Sequence, residues 1–402
     1  MLELEEALSR ILEAMPAPIS ETIPLGAAHG RIVVAVINSP INLPIFDNSA
    51  MDGYAVRAAN VASASATAPV RLRVQGRVPA GESFSGEVAN GGCVRVFTGS
   101  PLPKGADAVV MQEDTRVEMG ENHDILVMDR AKPWENVRIG GEDIKQGTEV
   151  AKKGDRVTAG RLSLLAATGL REIKVGRKPV VGLMATGSEL REAGEELGPG
   201  NIYESNRIGL AALIHLAGAA PRIFRLVPDT GQHVRSALES AFNECDVLIT
   251  SGGVSVGEMD FVKSAFAEIG GELQFWRVAI KPGRPFVFGR YRDKFLFGLP
   301  GNPVSALVTF LLMVRPALLR WQGASDISLP GFPGVLAEAL INRGPRRHFM
   351  RVKMDSDGKV FSGGVQASHM LGSLAQANGL IDVPPDTTLI TGTSVRVLRW
   401  GD

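Results

Sequence analysis

Cysteine is scarce: the 402 residues hold only Cys93 and Cys245, too few for a disulfide framework or a thiolate zinc site. Both lie in apolar runs, where a thiol serves as a small core side chain, and their scarcity points to a reducing compartment. Neither sign of charge is in excess, with 43 Lys and Arg against 43 Asp and Glu. No global field therefore recruits nucleic acid or an anionic membrane, and any anion site must be built locally. The six histidines include no pair at metal-ligand spacing. There is no Walker A motif, no G-x-G-x-x-G after a strand, and no Ser-His-Asp order to argue from. The longest apolar stretch, residues 304–314, is broken by Arg315-Pro316 and falls short of the ~20 residues a membrane span needs. The first six residues, MLELEE, are acidic where a secretion signal is basic. These absences set the expectation of a cytoplasmic protein with neither nucleic acid nor membrane as partner.

The apolar fraction of 45% and charged fraction of 21% are those of an ordinary globular chain. Its length exceeds what one hydrophobic core usually supports, so several domains are expected. Leu4, Leu8, Ile11, Leu12 and Met15 recur at helical spacing, which predicts an amphipathic helix over residues 3–15, ended by Pro16 and Pro18. Residues 22–138 change to short alternating strands, such as RLRVQ at 71–75 and CVRVF at 93–97, with Pro-Ala-Gly and Pro-Lys-Gly turns. Residues 140–175 hold a further strand-and-turn segment, then a helix over 158–168 with Gly169 as its C-cap. From Lys178 strands and helices alternate: strand patterns at 179–184, 223–227 and 246–249, helices at 206–217, 234–242 and 302–321. Such alternation makes a mostly parallel sheet with ligands at the carboxyl ends of its strands. Pro330-Gly331-Phe332-Pro333-Gly334 reads as a linker, and 335–402 again alternate as strands. The fold class is multidomain α/β plus β. The expected parts are 1–21 with 139–177, 22–138, 178–325 and 326–402.

Four loops of the α/β part could carry chemistry. The first, TSGGVSVGEMD at 250–260, follows a buried strand and precedes a helical pattern. Glycines there let a backbone approach an anion, while hydroxyls and the helix N-terminus favour it. Glu258 and Asp260 would repel a phosphate unless a divalent cation lies between. The second, TGSEL at 186–190, reads equally well as a turn and helix cap. In the third, FWRVAIKPGRP at 275–285, an extended chain would place Trp276, Val278 and Ile280 inward and Arg277 and Lys281 together on the other face, with Arg284 beyond. A solvated edge explains these cations as well. The fourth, GLPGNPVS at 298–305, is a rigid entry to a helix N-terminus, or simply a helix start with Asn302 as N-cap and Pro303 at N1. The β-rich part adds FDNSAMDGY at 46–54, FTGSP at 97–101 and RIGGEDI at 138–144, polar loops that are also good turns.

Taken together, FDNSAMDGY, GEDI at 141–144, TGSEL, TSGGVSVG at 250–257, IKPGRP at 280–285 and LPGNPVSA at 299–306 resemble the molybdopterin molybdenumtransferase family, MoeA-type, which includes the C-terminal domain of gephyrin. The likeness runs through nearly the whole chain in family order. It implies an elongated four-domain protein: a parallel α/β molybdopterin-binding domain, β-rich modules and a C-terminal β-barrel-like domain. It further implies a homodimer with the active site between the α/β domain of one subunit and the β-rich module of the other, and contacts with other proteins of molybdenum cofactor assembly. The implied reaction is Mg²⁺-dependent insertion of molybdate into adenylylated molybdopterin, releasing AMP. A non-catalytic carrier or scaffold and a molybdopterin adenylyltransferase are the rival readings.

By this resemblance Asp229 and Asp260 are the metal carboxylates, Glu189 a supporting acid, and Lys281 a charge-stabilising group. Asp52 and Asp143 would reach in from the partner subunit, with Thr98 and Arg138 on the same wall. Ser251, Gly252, Gly253, Ser255 and Gly257, with Glu258 beside them, would cradle the phosphate region. Pro300, Gly301, Asn302 and Ser305 would support it, as would Asn206. Arg351 and Ser368 match a weaker site for the oxyanion. Where the family commonly has lysine this chain has Arg277, a planar and permanently charged fork that suits oxyanion steering but not proton transfer.

Overall fold

The computed structural model describes residues 1–79, 81–118, 124–253 and 261–400. At its centre is a six-stranded sheet in the order Ala220–Ile223, Val180–Ala185, Val247–Ser251, Lys294–Leu299, Val287–Tyr291, Glu272–Trp276. The first three pairings are parallel and the last two antiparallel, so the sheet is mixed rather than wholly parallel. Alternate residues serve opposite faces, as a period of two requires. Leu183, Ile249 and Phe297 pack into one apolar cluster, and Met184, Leu248 and Leu296 into another. Helix Gly231–Glu244 covers the second face with Val234, Leu238 and Phe242, joined by Val262 and Phe266 of helix Phe261–Glu268. Burial on both faces explains why these strands read as continuous apolar runs.

The first face receives helix Asn206–Leu216 and a long composite helix, Pro303–Gln322. The latter is α-helical over Pro303–Thr309 and Arg315–Gln322 with a π turn, Phe310–Val314, between them. The helix runs through Arg315-Pro316, as the expected span 302–321 requires: the π turn realigns the backbone so that Pro316 falls in the first turn of the next α segment. By length and composition this helix could cross a membrane, but 83% of its most apolar window is buried inside the fold. The N-terminal helix, Leu4–Ala14, buries Leu4, Ala7 and Ile11 in the same cluster.

Residues 20–37 and 144–175 share a separate small core containing Leu25, Val33, Val157, Leu165 and Val175. Its helix, Ala159–Ala167, begins at Thr158, whose hydroxyl accepts from the Arg161 N–H, and ends before Gly169 at φ +81°. The cluster draws in residues 23–37, which the sequence pattern alone groups with the β-rich insert. The insert carries a six-stranded sheet in the order Ala108–Met111, Gly53–Val56, Gly92–Val96, Val70–Val78, Ile125–Val127, Thr115–Val117. At the other end of the chain, Arg347–Met354, Lys359–Ser362, Gly331–Leu336, Ser394–Arg399 and Gly379–Val383 close into a five-stranded barrel. PGFPG at 330–334 is therefore mostly barrel strand instead of linker.

The short strand Ile280–Lys281 pairs with Arg347 and His348, which ties the barrel to the α/β part. The continuous extended segment considered for 275–285 does not form. The chain breaks at Arg277, whose φ is +78°, between the strands Glu272–Trp276 and Ile280–Lys281. Strict alternation across 275–285 is lost at that break. The Arg277 guanidinium lies 3.7 Å from the centre of the Trp276 ring.

Candidate functional site

A cavity of about 620 Å³ opens at the carboxyl ends of strands Val180–Ala185, Val247–Ser251 and Lys294–Leu299. This is the edge at which α/β sheets bind ligands, because loops diverge there and leave backbone groups unpaired. Three segments make its floor. Ser251, Gly252 and Gly253 leave the central strand, Ala185 and Thr186 leave its neighbour, and Pro300, Gly301 and Asn302 lead into the long helix. Gly252 and Gly253 have φ of +86° and +65°. A Cβ on Gly252 would lie 2.9 Å from the Thr186 carbonyl oxygen, so only glycine lets these loops meet. The Asn206 amide joins two of the segments, donating to Ser251 Oγ at 2.7 Å and to the Gly301 carbonyl at 2.8 Å. Asn302 occupies the N-cap position with extended backbone, yet its side chain makes no capping hydrogen bond.

The outer wall comes from the excursion 187–204, where Leu190–Arg191 pairs in parallel with Ile202–Tyr203. Its Glu204 is neutralised by buried Arg207, which lies 2.9 Å from it and 2.7 Å from Glu192. Glu189, also on the wall, has no ion pair among the described residues. Asp229 stands near it on the loop after Val227, and its backbone N–H donates to Ser188 Oγ at 3.4 Å. Among the described residues the Oδ1 atom of Asp229 is buried without a hydrogen-bond partner, and Asp229 itself does not line the cavity. Burial, followed by repulsion from Glu189, pushes the Asp229 carboxyl above the usual carboxylate range, with Thr186 acting in the opposite direction. A buried, unpaired carboxylate oxygen beside a second acid is a favourable place for a hard cation. Among the described residues no group of three His, Cys, Asp or Glu stands ready to bind a metal.

The cavity thus gathers Glu189, Asn206, Ser251, Gly252, Gly253, Pro300, Gly301 and Asn302 from the residues expected by sequence. Ser255, Gly257, Glu258 and Asp260 lie outside the described residues. Ser305 is buried in the helix behind the floor, where its carbonyl accepts from Thr309. Lys281 is exposed, next to the barrel, and does not line the cavity. Arg351 is fully buried, bonded to Ser373 Oγ and the carbonyls of Val365 and Ala367, with its NH1 unpartnered. Desolvation pushes this guanidinium below its ordinary value. The Ser368 carbonyl accepts from the Val304 N–H at 3.1 Å, fastening the barrel's loop to the start of the long helix.

Asp52, Thr98, Arg138 and Asp143 sit on the β-rich side of the chain, and none lines this cavity. They form a surface of their own. Asp52 Oδ1 accepts from both the backbone N–H and the hydroxyl of Thr98, each at 2.8 Å, and these two bonds hold its carboxyl below the usual range. Arg138 pairs in a short antiparallel bridge with Asn48, and Gly140 N–H donates to Asp47 at 2.7 Å. Met51 remains 42% exposed beside this cluster. Ile202, Tyr203, Glu204, His369 and Leu371 also line the cavity but escape sequence reasoning. They arrive from two distant segments, and no local pattern marks them. The nearest signal was Ser368, one residue before His369.

The fold and cavity define a multidomain α/β protein whose main cavity lies at the carboxyl ends of its parallel strands. Residues 2–169 match the family described as MoeA N-terminal region (domain I and II). Residues 182–320 match the probable molybdopterin binding domain, and 333–400 the MoeA C-terminal region (domain IV). The chain is 39% identical over 404 residues to molybdopterin molybdenumtransferase 2 of Mycobacterium tuberculosis, covering 99% of each chain. It is 38% identical over 387 residues to the molybdopterin molybdenumtransferase of Haemophilus influenzae, covering 95% of this chain and 94% of that one. The crystal structure of the molybdopterin biosynthesis moeA protein from Pyrococcus horikoshii OT3 superposes with a TM-score of 0.86 at 32% identity, over 100% of both chains. The chain belongs to the molybdopterin molybdenumtransferase family, a family of transferases.

Proposed function

We propose that this chain inserts molybdate into adenylylated molybdopterin, bound in the cavity at the strand ends, and releases AMP and molybdenum cofactor. The observation that carries this reading is the glycine-and-hydroxyl floor at the strand ends, with the Asp229 carboxyl near Glu189 on an adjacent loop just outside the cavity lining. The floor can hold a phosphate through Ser251, Asn206 and backbone N–H groups. Glu189 and Asp229 would repel that phosphate unless a cation intervened. Asp229, with Asp260 expected beside it, would hold Mg²⁺, which supplies charge neutralisation at phosphate oxygens when bound. This chain's own residues then orient the ligand. Asn206 fixes the Ser251 hydroxyl against the Gly301 loop, and the Arg207–Glu204 pair stiffens the outer wall.

The chain acts as a homodimer in this reading, with Asp52, Thr98, Arg138 and Asp143 of a second copy closing the open side. Their position away from the cavity within one chain supports that arrangement. The direct test incubates purified protein with adenylylated molybdopterin, Mg²⁺ and molybdate and follows AMP. AMP release that requires both Mg²⁺ and molybdate is expected. Tight substrate binding without AMP release would replace the transferase reading with that of a carrier.

A further inference from the structure

A second cleft, of about 180 Å³, shares no lining residue with the main cavity. Three arginines line it, each from a different part of the chain: Arg156 from the small N-terminal core, Arg315 from the long helix, Arg399 from the last barrel strand. Leu213, Leu311 and Trp400 supply apolar wall. All three arginines are partly buried, and among the described residues none forms an ion pair. Their contacts are neutral. Arg156 donates to the Gly30 carbonyl at 3.2 Å, and Arg315 to the carbonyls of Ile327 and Ser328 at 2.9 and 3.1 Å. Among the described residues Arg399 Nε is buried with no hydrogen-bond partner, and its guanidinium lies 5.6 Å from the centre of the Phe332 ring.

Carbonyls satisfy N–H donors but leave the charge uncompensated. Two carboxylates that neighbour these residues in sequence are engaged elsewhere, and Asp402 lies outside the described residues. Asp155 pairs with Arg161 at 2.8 Å and accepts from the Lys152 N–H, while exposed Asp326 accepts from the Ser328 N–H at 3.0 Å. Burial, then the Arg156 charge, push the Arg315 guanidinium below its ordinary value, with Asp326 opposing only in part. Three arginines lining one cleft beside an apolar and aromatic wall offer the charge and the donors that an anion needs.

We infer that this cleft binds a phosphate group, either free or carried by a small monoester whose body rests on Trp400 and the leucines. The site is independent of the transferase reading. Its ligand joins the N-terminal core, the long helix and the barrel at one point, so binding raises the melting temperature of the whole chain.

The test titrates inorganic phosphate and, separately, phenyl phosphate into the full chain at matched ionic strength, with calorimetry and thermal unfolding as readouts. Saturable binding is expected, weakened roughly ten-fold or more in Arg399→Gln and again in Arg156→Gln. Arg399→Lys should regain part of the affinity. Tighter binding of phenyl phosphate assigns the site to a monoester, and equal binding assigns it to free phosphate. Asn206→Ala, which alters the main cavity, should leave in place the binding component that the two arginine-to-glutamine variants lose. Equal affinity in wild type and both arginine-to-glutamine variants overturns the proposal, as does loss that follows Asn206→Ala instead. A ten-fold gain of phosphate affinity in Asp402→Asn also overturns it, since the chain's own carboxylate would then be the occupant.

Discussion

Asn206 and Ser251 meet at 2.7 Å, and the same Asn206 amide reaches the Gly301 carbonyl at 2.8 Å, so one side chain holds two loops of the cavity floor in register. Asn206→Ala should cost about 1 kcal/mol of stability, the usual value of a partly exposed hydrogen bond. The larger effect should fall on the ligand. We expect AMP release to drop by about ten-fold or more, mostly through KM, because the Ser251 hydroxyl loses its orientation. Steady-state kinetics with adenylylated molybdopterin checks this; an unchanged KM would remove Asn206 from the site.

Asp229 makes a prediction with a definite sign. Its carboxyl is raised in the folded chain, so as pH rises from the ordinary aspartate range the unfolded state ionises first and stability falls through the window up to the raised value. Asp229→Asn removes that penalty. Above the window the variant should melt higher than wild type, while below it the two should converge. Mg²⁺ should raise the melting temperature of the wild type and not that of the variant, and Mg²⁺-dependent AMP release should be lost. A variant that retains Mg²⁺-dependent turnover would exclude Asp229 as a metal ligand.

His348 lies buried in the barrel, 3% exposed, with Nε2 unpartnered. Burial, then the charges of Lys281, Arg351 and Arg346, lower its pKa to about 4. The folded chain therefore keeps this imidazole neutral while the unfolded chain protonates it near its ordinary value. Stability supplied by neutral His348 is complete above about pH 6.5 and is lost as pH falls towards 4, by about 3 kcal/mol at most. His348→Gln cannot take up that proton. Thermal unfolding from pH 8 to pH 4.5 should show a flatter acid limb for the variant, and parallel limbs would contradict the assignment.

The two halves of the proposed site can be separated by mixing. Asp52→Ala and Asp229→Ala chains should each be inactive alone. Refolded together, they should recover up to about a quarter of wild-type activity, because a mixed dimer would keep one intact site of two and form about half of the time. Verified mixed dimers without activity would place the whole site in one chain.

Much of this was legible in the sequence because the α/β strands are buried on both faces and their loops break at Gly252, Gly253 and Gly301, where the chain has little conformational choice. Local patterns could not reveal contacts made by distant segments. The barrel closes by pairing Arg347–Met354 with Gly379–Val383, a relationship that alternation within either strand does not encode. His369 and Leu371 reach the cavity for the same reason. The break at Arg277 was hidden because arginine is an unusual residue at positive φ, and it is held there by stacking on Trp276 and by backbone hydrogen bonds to the distant Phe286 and Leu2. The burial of the Asp229 oxygen is likewise a property of the packed fold, which the resemblance that singled out Asp229 does not encode.

The two-residue strand Ile280–Lys281 ties the barrel to the cavity. One end of this strand is hydrogen-bonded into Arg347 and His348, and only four residues later Pro285 forms part of the cavity wall. The cavity wall and the barrel thus share one short run of chain, and neither can be repositioned in the fold without the four residues that join them.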